Sequence, residues 1–179
     1  MKLLYTLLVL ALVTQSYAQK MITKTGQINF EASVPAFEPV KAEHATVTAL
    51  LDTSTGEIAV LALMKGFRFK NALMEEHFNE NYMESDTYPK AVFKGVIEGF
   101  SKDDMATSNS YEVKGSLSLH GETKDIVVTL NTKNSGEAYV LTTNFSVAPG
   151  DFNIEIPSVV SDKISDKIQI SAHLSLTQK

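Results

Sequence analysis

Cysteine and tryptophan are both absent from the 179-residue chain. Without thiols there is no disulfide scaffold, no thiolate metal site and no cysteine nucleophile. A lipoprotein is excluded as well, since lipid attachment needs a cysteine at the signal cleavage site. Positive charge is scarce: 16 lysines and arginines face 21 aspartates and glutamates and never cluster. That balance excludes a nucleic-acid binder, whose surface must concentrate cations against phosphates. Beyond the N-terminus no segment approaches the roughly 20 apolar residues of a membrane-spanning helix. Glycine-rich phosphate loops and the GxSxG and HExxH motifs are also missing. What the chain does have is 44% hydrophobic residues, enough for a core, so it is no disordered tail.

The first eighteen residues read as a signal peptide. Met1-Lys2 is a short basic start, Leu3 to Val13 is apolar except for Thr6, and Ser16 and Ala18 are small. Cleavage is expected after Ala18. The run is too short for a bilayer core of about 30 Å. Residues 19–179 would then be an acidic, exported domain, periplasmic or secreted, that is stable through its core alone.

Most of that domain alternates with period two, the pattern of half-buried antiparallel strands. Tyr111, Val113, Gly115, Leu117 and Leu119 face one way, and Glu112, Lys114, Ser116 and Ser118 the other. Ile168, Ile170, Ala172, Leu174 and Leu176 repeat the pattern, as do Ile126, Val128 and Leu130. Strands are also expected around Ile28 and Phe30, Val47 to Leu51, Phe93 to Ile97, and 138–146. Ile58 to Met64 is apolar on both faces, which predicts cover on both sides, one cover being the helical segment that follows. Asn71 is placed to cap a helix carrying Leu73, Met74 and Phe78. Val160, Ile164 and Ile168 lie four apart, predicting one or two helical turns before the last strand. About eight strands at hairpin spacing suggest a barrel or a sandwich in one all-β domain.

Catalytic chemistry is not visible, and the chain reads as no enzyme. His44, His77, His120 and His173 are far apart in sequence. Glu76, His77 and Glu80 read as a solvated helix face, since His77 only borders the face shared by the two glutamates. Asp162 and Asp166, each followed by lysine, read as helix-surface charges. No metal and no cofactor is expected.

Two motifs carry a resemblance. Glu75 to Gly95 holds Phe78, the acidic Glu84 and Asp86, and then Tyr88-Pro89-Lys90-Ala91-Val92-Phe93. Further on comes Leu117-Ser118-Leu119-His120-Gly121-Glu122-Thr123-Lys124. In this order, behind a signal peptide and a first strand Thr25 to Phe30, they resemble the YceI-like family across nearly the whole of residues 19–179. Where many members carry an Arg-containing segment before the final strand, this chain has Pro149 to Pro157, a departure that bears on one barrel mouth and its ligand.

The resemblance implies an extended, antiparallel, eight-stranded, lipocalin-like barrel with one or two short helices. It implies a periplasmic binding protein that holds a polyisoprenoid or other long-chain amphipathic lipid, as carrier, store or sensor. Candidate tunnel-lining residues are Phe30, Val60, Ala62, Phe67, Phe69, Leu73, Met74, Phe78, Phe93, Leu117, Leu119 and Val128. The small Ala49, Ala62 and Gly115 also favour a cavity. An eight-stranded barrel can equally fill its interior with side chains, so a dry-cored interaction module of the cell envelope is the alternative. A lipid-acting enzyme ranks third, and homodimerisation stays open.

Overall fold

A computed structural model describes residues 20–35 and 37–179; the signal peptide expected over residues 1–18 lies outside the described residues. The strands are β1 (Lys20–Ser33), β2 (Lys41–Asp52), β3 (Glu57–Leu63), a two-residue β4 (Arg68–Phe69), β5 (Lys90–Ile97), β6 (Asn109–Leu119), β7 (Glu122–Ser135), β8 (Ala138–Val147) and β9 (Ile164–Gln178). The eight long strands run β1-β2-β3-β5-β6-β7-β8-β9, and the β9–β1 ladder closes the circle. All the pairings are antiparallel. Closure leaves no free sheet edge along the paired stretches, which is how a β-protein of this size avoids edge-to-edge association.

The turns follow from local chemistry. His120 and Gly121 both take positive φ, 50° and 79°, and join Leu119 to Glu122 in a two-residue hairpin. Positive φ at both positions matches the right-handed twist of the strands on either side. Gly56 and Gly136 supply positive φ in two further turns.

Chain direction sorts the connections onto two ends. Residues 53–56, 98–108 and 136–137 share one end, and 34–35, 37–40, 64–89, 120–121 and 148–163 share the other. The first end is solid: Leu51, Ile97, Tyr139, Leu141 and Leu176 are buried there. Phe100 packs its ring 6.1 Å from Tyr111 and 6.4 Å from Tyr139. The second end carries the long segments and is hollow.

Helix α1 (Ala72–His77) is the one α-helix among the described residues. Asn71 caps it, its side chain accepting from the Leu73 N–H at 3.0 Å. Two expectations about helices are corrected. Val160 N–H donates to the Pro157 carbonyl and Lys163 N–H to that of Val160, so residues before β9 form successive turns, not a helix. The spacing of four instead belongs to residues that all face the interior, as the strand begins at Ile164. Asp162 and Asp166 accordingly do not sit on a helix.

Nor does α1 cover the outer face of β3. Ile58, Val60, Ala62 and Met64 point inward, but Leu63 on the other face is 55% exposed. The reason is β4, which pairs with β2 at Ala42 and Glu43, beyond the end of β3. That pairing draws the chain across the hollow end, and α1 lies over the opening.

Gly95 and Gly115 are cross-strand partners in β5 and β6. Gly115 does not open the interior as expected, because the Phe93 ring occupies the space beside it. A methyl group on Gly115 would stand 2.7 Å from Phe93 Cζ and closer still to the Lys94 carbonyl oxygen. Gly115→Ala is therefore expected to lower stability by about 1–3 kcal/mol, the usual cost of overpacking. A urea unfolding midpoint equal to wild type would show that the ring is not held there.

Candidate ligand cavity

The hollow half encloses a cavity of about 640 Å³. That size lies within the roughly 300–1,000 Å³ of small-molecule sites. Its floor is Ile58, Val113, Leu130 and Leu174, from four different strands. Above the floor, Val60, Phe93, Leu117, Leu119 and Val128 line one side, as the alternation predicts. Room exists because Ala32, Ala62, Ala91 and Ala172 occupy inward positions in this half, with Ala62 and Ala91 directly paired across β3 and β5. Ala49, fully buried, does not line the cavity.

One wall near the mouth is aromatic. Phe30 stacks on Phe78 with centroids 5.4 Å apart and meets Phe67 and Phe69 edge-on at 5.5 and 5.6 Å. Such pairs add about 0.5–1.5 kcal/mol each beyond their buried area. The helix is positioned by a carboxylate clamp. Glu75 accepts from the Phe69 N–H at 3.0 Å and from Arg68 Nη1 at 2.9 Å, while Asn79 Nδ2 donates to the Glu75 carbonyl at 2.8 Å. A π-helical turn, Phe78–Tyr82, then carries Phe78, Tyr82 and Met83 to the same side as Met74.

Leu73 is the exception among the expected lining residues. It is 56% exposed and does not line the cavity. Adjacent helical positions point about 100° apart, and the inward side is taken by Met74 and His77 of α1 and by Phe78 just after it. Sequence reasoning also missed the C-terminal wall: Phe145, Phe152, Ile154, Ile156 and Ile170 all line the cavity. A faint signal was present in Ile154 and Ile156, which alternate with the exposed Glu155.

Phe152 enters through a split in the wall. β7 and β8 pair only from Leu130 and Thr143 toward their shared turn, the last rung being extended by the Thr143 hydroxyl donating to the Thr129 carbonyl at 2.7 Å. The 3₁₀ turn Pro149–Phe152 packs against β7 in this region, with the Phe152 side chain 1% exposed. His120 Nδ1 lies 3.0 Å from the Phe152 carbonyl and so carries the proton, and Asn153 Nδ2 donates to Glu122 at 2.7 Å. The Tyr88 ring sits 4.5 Å from that of His120. The recognisable motif residues Tyr88 and His120 thus tie three segments of the hollow end together from outside the cavity.

His44 is buried behind the aromatic wall, its ring edge-on to Phe67 at 5.1 Å. Its Nδ1 accepts from the Thr46 N–H at 3.1 Å, which places the proton on Nε2. Burial pushes its pKa below the ordinary histidine value. The unfolded chain therefore binds a proton that the folded barrel refuses. Stability is complete above about pH 6.5 and falls as pH drops below it toward the lowered folded pKa, by at most about 1.4 kcal/mol per pH unit. Urea midpoints between pH 7.5 and 5 are expected to show this slope in wild type and to lose it in His44→Gln. An equal slope in both would assign the effect elsewhere.

Among the described residues no group of three or more histidines and carboxylates converges as a metal site, and Glu76, His77 and Glu80 are exposed. No described helix is long and apolar enough to cross a membrane.

A family model described as YceI-like domain matches residues 16–176. Among solved structures, the chain is similar to a polyisoprenoid-binding domain from Saccharophagus degradans implicated in plant cell wall breakdown. The two share 15% identity and a TM-score of 0.77, over 90% of this chain and 99% of that one. It is also similar to BcnA from Burkholderia cenocepacia, at 18% identity and a TM-score of 0.70 over 84% and 95% of the two chains. A YceI protein from Campylobacter jejuni matches at 16% identity and 0.65, over 82% and 89%. At these identities the likeness is one of fold. Comparison with curated proteins finds no match.

Proposed function

We propose, because the chain belongs to the YceI-like domain family, that it is an exported protein holding a polyisoprenoid or other long-chain amphipathic lipid in the hollow half of its barrel. The observation that carries this reading is the cavity itself, about 640 Å³ with an almost wholly apolar lining. Its charged or titratable lining groups are Glu38, His77, Tyr82 and Lys163, which come from the segments around the mouth. An apolar chain would lie inside with its polar head at the opening. The S. degradans neighbour, described as polyisoprenoid-binding, supports the ligand class. The basic, apolar and small-residue order of residues 1–18 supports export to the periplasm.

Hydrocarbon burial supplies the affinity without directional contacts. Each buried methylene contributes about 0.8 kcal/mol, so roughly ten give about 8 kcal/mol before the costs of ordering the chain. That is a binder's design, as carrier, store or sensor, rather than an enzyme's. The dry-cored alternative is favoured only by the solid end of the barrel, where Tyr139, Leu141 and Leu176 fill the interior.

Native mass spectrometry of the purified protein, with organic extraction of whatever accompanies it, tests the reading. A stoichiometric long-chain lipid is expected. An apo mass that stays unshifted after incubation with isoprenoid quinones and alcohols would overturn it in favour of an interaction module.

A further inference from the structure

The three segments that surround the cavity mouth, 34–35 with 37–40, 64–89 and 148–163, carry nine acidic residues and four basic ones. Their cations are poorly placed to meet an anionic head group. Arg68, the single arginine of the chain, is held by Glu75 at 2.9 Å and by the Lys65 carbonyl at 2.9 Å, and it does not line the cavity. Lys65 is paired with Asp86. Lys70 does not reach the cavity either, which leaves Lys163 as the one cationic lysine or arginine lining it, with Glu38 in the same lining. Recognition of a phosphate or diphosphate calls for clustered, preferably bidentate cations. This mouth instead offers the Tyr82 hydroxyl and the His77 imidazole, groups suited to a hydroxyl or a carbonyl.

We propose that the cavity selects ligands with an uncharged head, an isoprenoid alcohol or quinone, and disfavours the phosphorylated form of the same chain. The proposal rests on the reading that the cavity holds such a chain. Selection works through the field of the rim: an anion brought to the mouth enters between segments whose acidic residues outnumber their basic ones nine to four, whereas a hydroxyl meets none of that repulsion. Of these carboxylates, Glu155 and Asp162 are exposed and lie beside the lining residues Ile154, Ile156 and Lys163.

Equilibrium binding of geranylgeraniol and geranylgeranyl diphosphate to the full folded protein tests this, since the two differ only in the head group. At low salt the alcohol is expected to bind at least about tenfold more tightly. The gap should narrow as ionic strength rises from about 10 to 150 mM and the screening length falls from about 30 to 8 Å. In the double variant Glu155→Lys/Asp162→Lys the gap should close by several-fold. Diphosphate binding as tight as the alcohol's, or tighter, overturns the head-group proposal and leaves the lipid reading standing. Binding of neither compound overturns both.

Discussion

Leu117→Asp is expected to leave no folded barrel at neutral pH. Leu117 is 9% exposed, sits opposite Phe93 in the β5–β6 ladder and forms part of the cavity wall. The substitution removes about 1.5–3 kcal/mol of apolar burial. It also places a carboxylate among apolar neighbours such as Phe93, at a further cost of several kcal/mol that the exposed Lys124, opposite it in the β6–β7 ladder, offsets only in part. Against a total stability of about 5–15 kcal/mol the combined loss is decisive. Circular dichroism and urea unfolding would measure it, with Leu117→Met as the control expected to cost less than about 1.5 kcal/mol. A cooperative, near-native transition in the aspartate variant would mean that position 117 faces water.

Filling the cavity should separate binding from folding. Ala62 is 3% exposed, lies opposite Ala91 and lines the open space. A phenylalanine there projects into a void, so the overpacking penalty that applies at Gly115 does not. Ala62→Phe is expected to keep or raise the melting temperature while weakening lipid affinity at least about tenfold, equivalent to about 1.4 kcal/mol. Thermal unfolding and native mass spectrometry read the two effects independently. Undiminished lipid occupancy in a stable Ala62→Phe protein would move the ligand out of this half of the barrel.

Local backbone geometry explains why so many faces were legible in advance. Along β6, Tyr111, Val113, Leu117 and Leu119 point inward because a pleated strand alternates whatever it pairs with. The His120-Gly121 turn is legible for the same reason, as two residues with positive φ are a local demand. The two family motifs were legible as a pattern, but the structure gives them a different kind of role. Tyr88 and His120 brace the hollow end from behind, while the ligand-sized space is made by residues with no motif at all.

The misread segments share one cause. For β3, an apolar outer face suggested a cover, but whether α1 lies there depends on where β4 pairs, a contact with β2 that no local pattern encodes. Leu73 and Met74 are equally apolar, and only the seat of α1 over the mouth decides which one turns inward. The Val160, Ile164, Ile168 spacing suits a helix as well as a chain that drops turn by turn into a strand, and the pairing of Ile164 with β1 and of Ile168 with β8 settles it. The acidic mouth is likewise spread over three segments distant in sequence, and it becomes a common field only when the barrel gathers them at one end.

By itself, then, the sequence determined the strand faces, the tight turns, the all-β class and the family resemblance, because each depends on neighbours within a few residues. Only the tertiary structure decided that the barrel is solid at one end and hollow at the other. Leu51, Leu141 and Leu176 occupy the same kind of inward pleat position as Ala32, Ala62 and Ala172. Whether facing side chains meet across the axis depends on strand stagger, on barrel radius and on which inward residues share a level, and those are fixed by long-range pairing.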